Sequence, residues 1–192
     1  FDKTGTLTKG EFGIDRIISE TPGNEINVLQ YAASVNSHSE HPLAKAMVDE
    51  ARKKGIETLE IKNFKRIPGK GVRAEIGGAE VFIGSASLAE DQGAKSSDKI
   101  KVETDALARQ GKTINVVIKN NKVMGVIALA DVIREESREA IKTLRNMGVK
   151  TAMITGDAED VAKWVAGELG IDEYFAKVLP EQKSEKVKFL QG

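Results

Sequence analysis

Residues 149–178 read VKTAMITGDAEDVAKWVAGELGIDEYFAKV. VKTAMI (149–154) predicts a strand and TGD (155–157) a tight turn. AEDVAKWVAGELG (158–170) predicts a helix with Ala158, Ala162, Val165 and Leu169 on one face, and EYFAKV (173–178) a second short strand. Strand and helix alternating at this spacing predict a doubly wound α/β unit with a parallel sheet. Upstream, REESREAIKTLRNMG predicts a helix closing at Gly148; downstream, PEQKSEKVKFLQ predicts another. The charge run in REESRE reads as a solvated helix face.

The middle of the chain differs. EINVLQYAASVN places Val28, Ala32 and Val35 on one helical face, and in HPLAKAMVDEARKKG the residues Leu43, Met47 and Ala51 recur every fourth position. Pro42 suits a first helical turn and Gly55 a stop. GVRAEIGGAEVFIG alternates around Gly77-Gly78, a hairpin signal, and TINVVIKNNKVMGVIALA predicts a second hairpin turning at Asn120-Asn121. Between them, SDKIKVETDALARQG predicts a surface helix. This centre reads as an antiparallel sheet with helices packed on it. The expected organisation is one domain inserted into another: 1–9 and 129–192 form the α/β domain, with a hinge near Asp131, and 10–128 form the insert.

Composition narrows the partners. The 192 residues carry 29 Lys+Arg against 29 Asp+Glu, so no global field gathers nucleic acid or an anionic membrane. Any charged ligand needs a local constellation. Cysteine is absent, which excludes disulfides, thiolate metal sites and a cysteine nucleophile. No apolar run approaches the roughly 18 residues of a membrane span, so this segment is not expected to insert in a bilayer. It begins at Phe1 without Met and is expected to be an excised piece, monomeric by itself.

The chain opens with FDKTGTLT, residues 1–8. A carboxylate at the C-terminal end of a parallel strand, followed by a glycine-containing turn, sits where α/β folds bind ligands. Backbone N–H groups and threonine hydroxyls of such a turn suit phosphate oxygens. The carboxylate can attack a γ-phosphoryl group and form an aspartyl-phosphate. The bland alternative is a solvated Asp in a Thr/Gly loop, but the eight-residue string is far more specific than Asp-x-x-Gly.

FDKTGTLT strongly resembles the phosphorylation motif of P-type ATPases, and the resemblance extends over almost the whole chain. It implies an α/β fold: an incomplete haloacid-dehalogenase-like Rossmannoid phosphorylation domain with an inserted α+β nucleotide-binding domain. It makes Asp2 the phosphorylated nucleophile, Lys3 the neutraliser of phosphoryl charge, and Thr6 a phosphate-holding residue. Thr155 becomes the phosphate-binding hydroxyl, and Asp157 lies near the nucleotide–phosphate site. Lys183, in LPEQK, becomes the lysine that stabilises the aspartyl-phosphate. Taken alone, TGD reads as a helix-capping turn and Lys183 as a solvated helix lysine. The wider superfamily commonly places a second, acid/base Asp at the position of Thr4. Its absence implies a longer-lived phosphoenzyme, which suits a pump better than a small-molecule phosphatase.

SEHP (39–42) resembles the nucleotide-site signature of heavy-metal P-type ATPases. By that likeness His41 orients adenine, with Glu40 nearby; the alternative is that Ser39 or His41 merely caps the helix. His38 has no such assignment. Gly69 and Gly71 of PGKGV would let the backbone approach the nucleotide, against the alternative of a plain turn. FIGS matches a further family position through Gly84, with Ser85 where many members have Asn. GKT at 111–113 is no P-loop, because the required first glycine is Ala106.

The resemblance therefore implies ATP and Mg²⁺ as cofactors, the latter held by Asp2 and the Thr4 carbonyl with phosphate and water. It implies transmembrane and actuator domains in the same parent chain, with copper as cargo and this segment on the cytoplasmic side of an integral membrane protein. The family's Gly-Asp-Gly-x-Asn-Asp segment is not within these residues, so the segment is expected to bind ATP but to phosphorylate poorly. Two other classes stay open: a capped phosphatase of the same superfamily, and a non-catalytic nucleotide-sensing module.

Overall fold

In the computed structural model, which describes residues 1–191, the chain divides into two units. The first comprises Phe1–Glu11, Arg109–Gly111 and the chain from Asp131 on; the second comprises Phe12–Ala108 and Lys112–Ala130. In chain order, β1 (Thr8–Ser19) leads to α1 (Glu25–Asn36) and α2 (Pro42–Lys53). Then come β2 (Lys62–Ile67), β3 (Gly71–Ile76), β4 (Ala79–Gly84), α3 (Ala86–Asp91), α4 (Asp98–Arg109), β5 (Thr113–Lys119) and β6 (Lys122–Ile133). The chain continues through α5 (Glu135–Asn146), β7 (Ala152–Ile154), α6 (Glu159–Leu169), β8 (Glu173–Phe175) and α7 (Lys183–Gln191).

In the second unit the six strands form one sheet in the order β1-β6-β5-β4-β3-β2. Both expected hairpins are present. Gly77 and Gly78 have φ of 57° and 79°, and Asn120 and Asn121 have 49° and 58°. Positive φ at both central residues is what a two-residue turn matched to strand twist requires. Alternate residues of the central strands face opposite layers. Val81, Ile83, Val117, Ile127 and Leu129 join Val28, Leu29, Ala32 and Met47 of α1 and α2 in one core. Phe82, Val116, Ile118, Val126 and Ala128 join Leu88 of α3 and Ile100 and Leu107 of α4 in the other. Burial on both faces explains the continuous apolar runs VFI and VIALA, where a half-exposed sheet would alternate. A fully buried leucine such as Leu29 contributes about 2–3 kcal/mol.

Strands β1 and β2 lack that signal. They are the sheet's edges, and their burial is intermittent. In β2, Asn63 adopts φ 55° where the register with β3 slips between Lys62 and Lys65. A bulge and lysines are ordinary protection for an exposed strand edge.

In the first unit β7 and β8 pair in parallel, Ala152 opposite Glu173 and Ile154 opposite Phe175. Helix α6 crosses between them and buries Ala162, Val165 and Leu169 against Leu7, Ile141 and Met153. Ala158, expected on that face, is instead the exposed residue preceding the helix. Both strands are half the expected length. At one end Thr151 donates its N–H and hydroxyl to Asp172 Oδ2, at 2.7 and 2.9 Å, which replaces ladder pairing with a polar clasp. At the other, Lys177 adopts φ 54° and turns the chain away. Among the described residues no helix is long and apolar enough to cross a membrane.

The Thr151 hydrogen bonds favour the ionised form of Asp172 and hold its pKa below the ordinary 3.8. Its contribution to stability is thus complete above pH 3.8 and lost as pH falls through the lower folded value. Asp172→Asn is expected to lower stability at neutral pH and to flatten the acid limb of the unfolding profile in that window. Urea unfolding at stepped pH checks this; parallel profiles for variant and wild type would refute it.

Candidate functional site

In the first unit the site is built at the end of β7. Phe1 and Asp2 run alongside it in parallel: Phe1 N–H donates to Ala152 O at 2.7 Å, Ile154 N–H donates to Phe1 O at 2.8 Å, and Asp2 bridges Ile154. Asp2 therefore stands at the carboxyl end of a parallel pair, beside Thr155–Asp157. The next five residues, Lys3–Leu7, make a wide turn in which Thr4 is extended and Gly5 takes φ 78°. That glycine permits the reversal that brings Thr8 N–H back to Lys3 O.

Asp2 Oδ1 accepts two hydrogen bonds, from Lys3 N–H at 2.9 Å and from Lys183 Nζ at 2.8 Å, 181 positions away. Oδ2 has no hydrogen-bond or ion-pair partner among the described residues. One oxygen is held and the other is open. The Thr4 and Thr6 side chains are exposed in the same turn.

The Lys3 side chain goes elsewhere. It is 4% exposed, and its ammonium lies 3.2 Å from both Asp131 Oδ2 and Asp157 Oδ2. A buried ammonium is tolerable only when paired and hydrogen-bonded, and two carboxylates meet that demand. Asp131 also accepts from the Thr8 hydroxyl at 2.6 Å and Gly10 N–H at 3.1 Å. Arg134, three residues on, donates to Thr8 O at 3.1 Å and Gly5 O at 3.4 Å. Asp131 and Arg134 thus clamp the turn that carries Asp2. In the sequence Asp131 marks only a hinge, and Arg134 carries no expectation. The available signal was a charged residue ending the apolar run VIALA.

Thr155 is buried, and its hydroxyl donates to Asp157 Oδ2 while accepting from Asp157 N–H at 3.2 Å. The TGD turn does not cap α6: Ala158 is the N-cap, with no side-chain capping bond. It spends its polar groups on itself and on Lys3. In this network three carboxylates (Asp2, Asp131, Asp157) face two ammonium groups (Lys3, Lys183).

In the second unit a cleft of about 540 Å³ opens between the start of α2 and the turns joining β2 to β3 and β4 to α3. That volume suits a nucleotide-sized ligand. Its lining includes Glu40, His41, Gly69, Gly71, Gly84 and Ser85, so three separate sequence motifs meet there. His41 Nδ1 accepts Leu43 N–H at 3.3 Å, which caps α2 with Pro42 at its first position. Capping engages Nδ1, and Nε2 has no hydrogen-bond partner among the described residues. Glu40 is exposed beside it, and His38 is not in the lining; it is bonded to Ser37 and lies near Phe64.

The two glycines of PGKGV differ in purpose. Gly69 has φ 69° and open space where a Cβ would stand. Gly71 lies opposite Gly84 across β3 and β4, and a Cβ on Gly71 would run into the Ile83 carbonyl. The strand pair itself demands glycine there. Asn36 also lines the cleft, with no expectation from the sequence. It is 5% exposed, and its amide donates to Ala32 O at 3.0 Å and contacts Met47 Sδ at 3.4 Å. Its signal was a polar residue four positions after Ala32 on an otherwise apolar helical face.

A family model for haloacid dehalogenase-like hydrolases matches residues 1–192. The chain is 49% identical over 191 residues to copper-exporting P-type ATPase B of Archaeoglobus fulgidus, covering 100% of this chain and 27% of that protein. The chain thus spans about a quarter of the length of the curated relatives it matches. It superposes with a TM-score of 0.89 on a zinc-transporting PIB-type ATPase in its E2.Pi state, at 35% identity over all of this chain and 30% of that one. It also superposes on the catalytic domain of the CPx-ATPase CopB-B, solved in a study of conformational changes upon nucleotide binding. There the TM-score is 0.65 at 31% identity, over all of this chain and 65% of that one.

Proposed function

This chain belongs to the haloacid dehalogenase-like hydrolases, and from that membership we propose that it is the ATP-binding and phosphorylation region of a heavy-metal P-type ATPase, with copper as cargo. The parent would be a membrane pump, with this segment monomeric and cytoplasmic, joined to transmembrane and actuator domains of the same chain. The copper-exporting and zinc-transporting relatives support the heavy-metal class. The observation that carries the reading is the Asp2–Lys183 contact at the carboxyl end of a parallel pair.

In this reading ATP occupies the cleft of the second unit, and its terminal phosphate must be delivered in line with Asp2. A carboxylate oxygen of Asp2 attacks the γ-phosphorus, the bond to the β–γ bridging oxygen breaks, and ADP leaves. Lys183 accompanies the carboxylate and offsets the charge of the acyl phosphate. Lys3 acts through its neighbours, neutralising Asp131 and Asp157 beneath the turn. The exposed hydroxyls of Thr4 and Thr6 suit phosphate oxygens. Water later attacks the phosphorus and restores Asp2. Thr4 cannot act as the acid/base that speeds this step, so the phosphoenzyme persists.

Mg²⁺ fits the residues of this turn. Asp2 Oδ2 and the Thr4 backbone carbonyl are hard oxygen donors of the kind that ion prefers. When bound, Mg²⁺ supplies charge neutralisation to the transferring phosphoryl group. Among the described residues no cluster of three or more acidic or imidazole side chains surrounds a metal position.

Calorimetric titration with ATP tests the cleft. His41→Ala is expected to weaken binding by about tenfold, the order of one aromatic contact with a purine. His41→Asn keeps a helix-capping acceptor but no imidazole, so it is expected to keep wild-type stability and still bind poorly. Unchanged affinity in both variants would remove the adenine assignment.

A further inference from the structure

The cleft of the second unit has two chemically different walls. The α1–α2 side presents Asn36, Glu40 and His41, an amide, a carboxylate and an imidazole; the β2–β3 side presents Arg66 and Lys70, two cations. Arg66 has no ion-pair partner among the described residues. Lys70 has one, the carboxylate of Asp91 at the end of α3, and Asp91 is not part of the lining. The Lys70 backbone is fixed. Its N–H donates to Ile67 O at 3.0 Å and its carbonyl accepts Ser85 N–H at 2.9 Å, so only the side chain can choose a partner. The two side chains are 41% and 45% exposed. An ion pair this open contributes little, and a polyphosphate carrying several charges competes well against one carboxylate.

We propose that Lys70 is the phosphate-contacting residue of the cleft and that Asp91 is its resident competitor, holding the ammonium when no ligand is bound and releasing it to a polyanion. The inference rests on the cleft being a nucleotide site, and it orients the ligand there. The base lies toward Asn36 and His41, and the phosphates lie along the Gly69–Gly71 turn, where the open side of Gly69 leaves room. Asp91 thereby lowers affinity for phosphate-bearing ligands and leaves that for the nucleoside unchanged.

The test is calorimetry at low salt on this chain with adenosine, AMP, ADP and ATP. Asp91→Asn is expected to tighten ATP by about twofold to fivefold and Lys70→Gln to weaken it by a similar factor, while adenosine is unchanged in both. The double variant is expected to match Lys70→Gln, because Asp91 acts only through Lys70. Higher salt should shrink these differences. Unchanged ATP affinity in the single variants, or equal shifts for adenosine and ATP, would overturn the competitor and leave the nucleotide reading standing. A wild-type chain that binds none of the four ligands would overturn both.

Discussion

Asp2→Asn, made in the full-length protein proposed above to be a pump, is expected to abolish acid-stable phosphate labelling from γ-labelled ATP and to reduce transport at least about a thousandfold, as loss of a nucleophile does. The substitution is nearly isosteric. It keeps an acceptor for Lys3 N–H and removes only the charge and the nucleophilic oxygen. The ion pair lost with Lys183 has side chains 34% and 46% exposed, so its removal changes stability by no more than about 1 kcal/mol. Activity should therefore vanish from a protein that still folds and still binds ATP in its cleft. Labelling, transport and a thermal melt of the same preparation separate these outcomes. Transport that survived the substitution would favour a nucleotide-sensing role. In the wild-type protein, a labelled intermediate that turned over at once, without transport, would favour a phosphatase.

Gly84→Ala is expected to be among the most destabilising single changes in the second unit, about 3 kcal/mol. A methyl there would collide with the Lys70 carbonyl and approach Leu88 Cδ2 to 2.7 Å and Gly71 Cα to 2.9 Å. None of these can move cheaply. Two of the three are backbone, and Leu88 is 1% exposed in the core below α3. The strands would have to part at the floor of the cleft, so nucleotide affinity is expected to fall with stability. Gly69→Ala is the control. Its Cβ meets nothing within 4 Å, and only the φ of 69° opposes it, at about 1–2 kcal/mol. Urea unfolding of the two variants side by side checks the contrast; equal losses would mean that close approach of β3 and β4 is not what selects glycine at position 84.

Much of the architecture was legible because its causes are local. The 3.6-residue repeat of Leu43, Met47 and Ala51 produces α2, the Gly-Gly and Asn-Asn pairs produce the two hairpins, and the β7–α6–β8 unit follows from a strand–helix–strand pattern. Edge strands β1 and β2 carry no such signal, since their irregular burial sustains neither a continuous apolar run nor an alternation. Position alone misled at Ala158: it has the spacing of the buried face, yet it precedes the first helical turn.

The site divides in the same way. The chemistry on offer is written in the residues: a carboxylate before a glycine turn, a distant lysine after LPEQ, an imidazole at a helix start, and glycines around a hairpin. Those identities are local facts. How the charges are shared depends on packing across the fold. That packing gives Lys183 to Asp2, and it turns Lys3 down between Asp131 and Asp157, both more than 120 positions along the chain from it. It also joins Lys70 to Asp91 and seats Gly71 against Gly84. The physical reason is that a buried ammonium takes whichever carboxylates packing brings within about 3 Å, and no repeat along the chain encodes that distance.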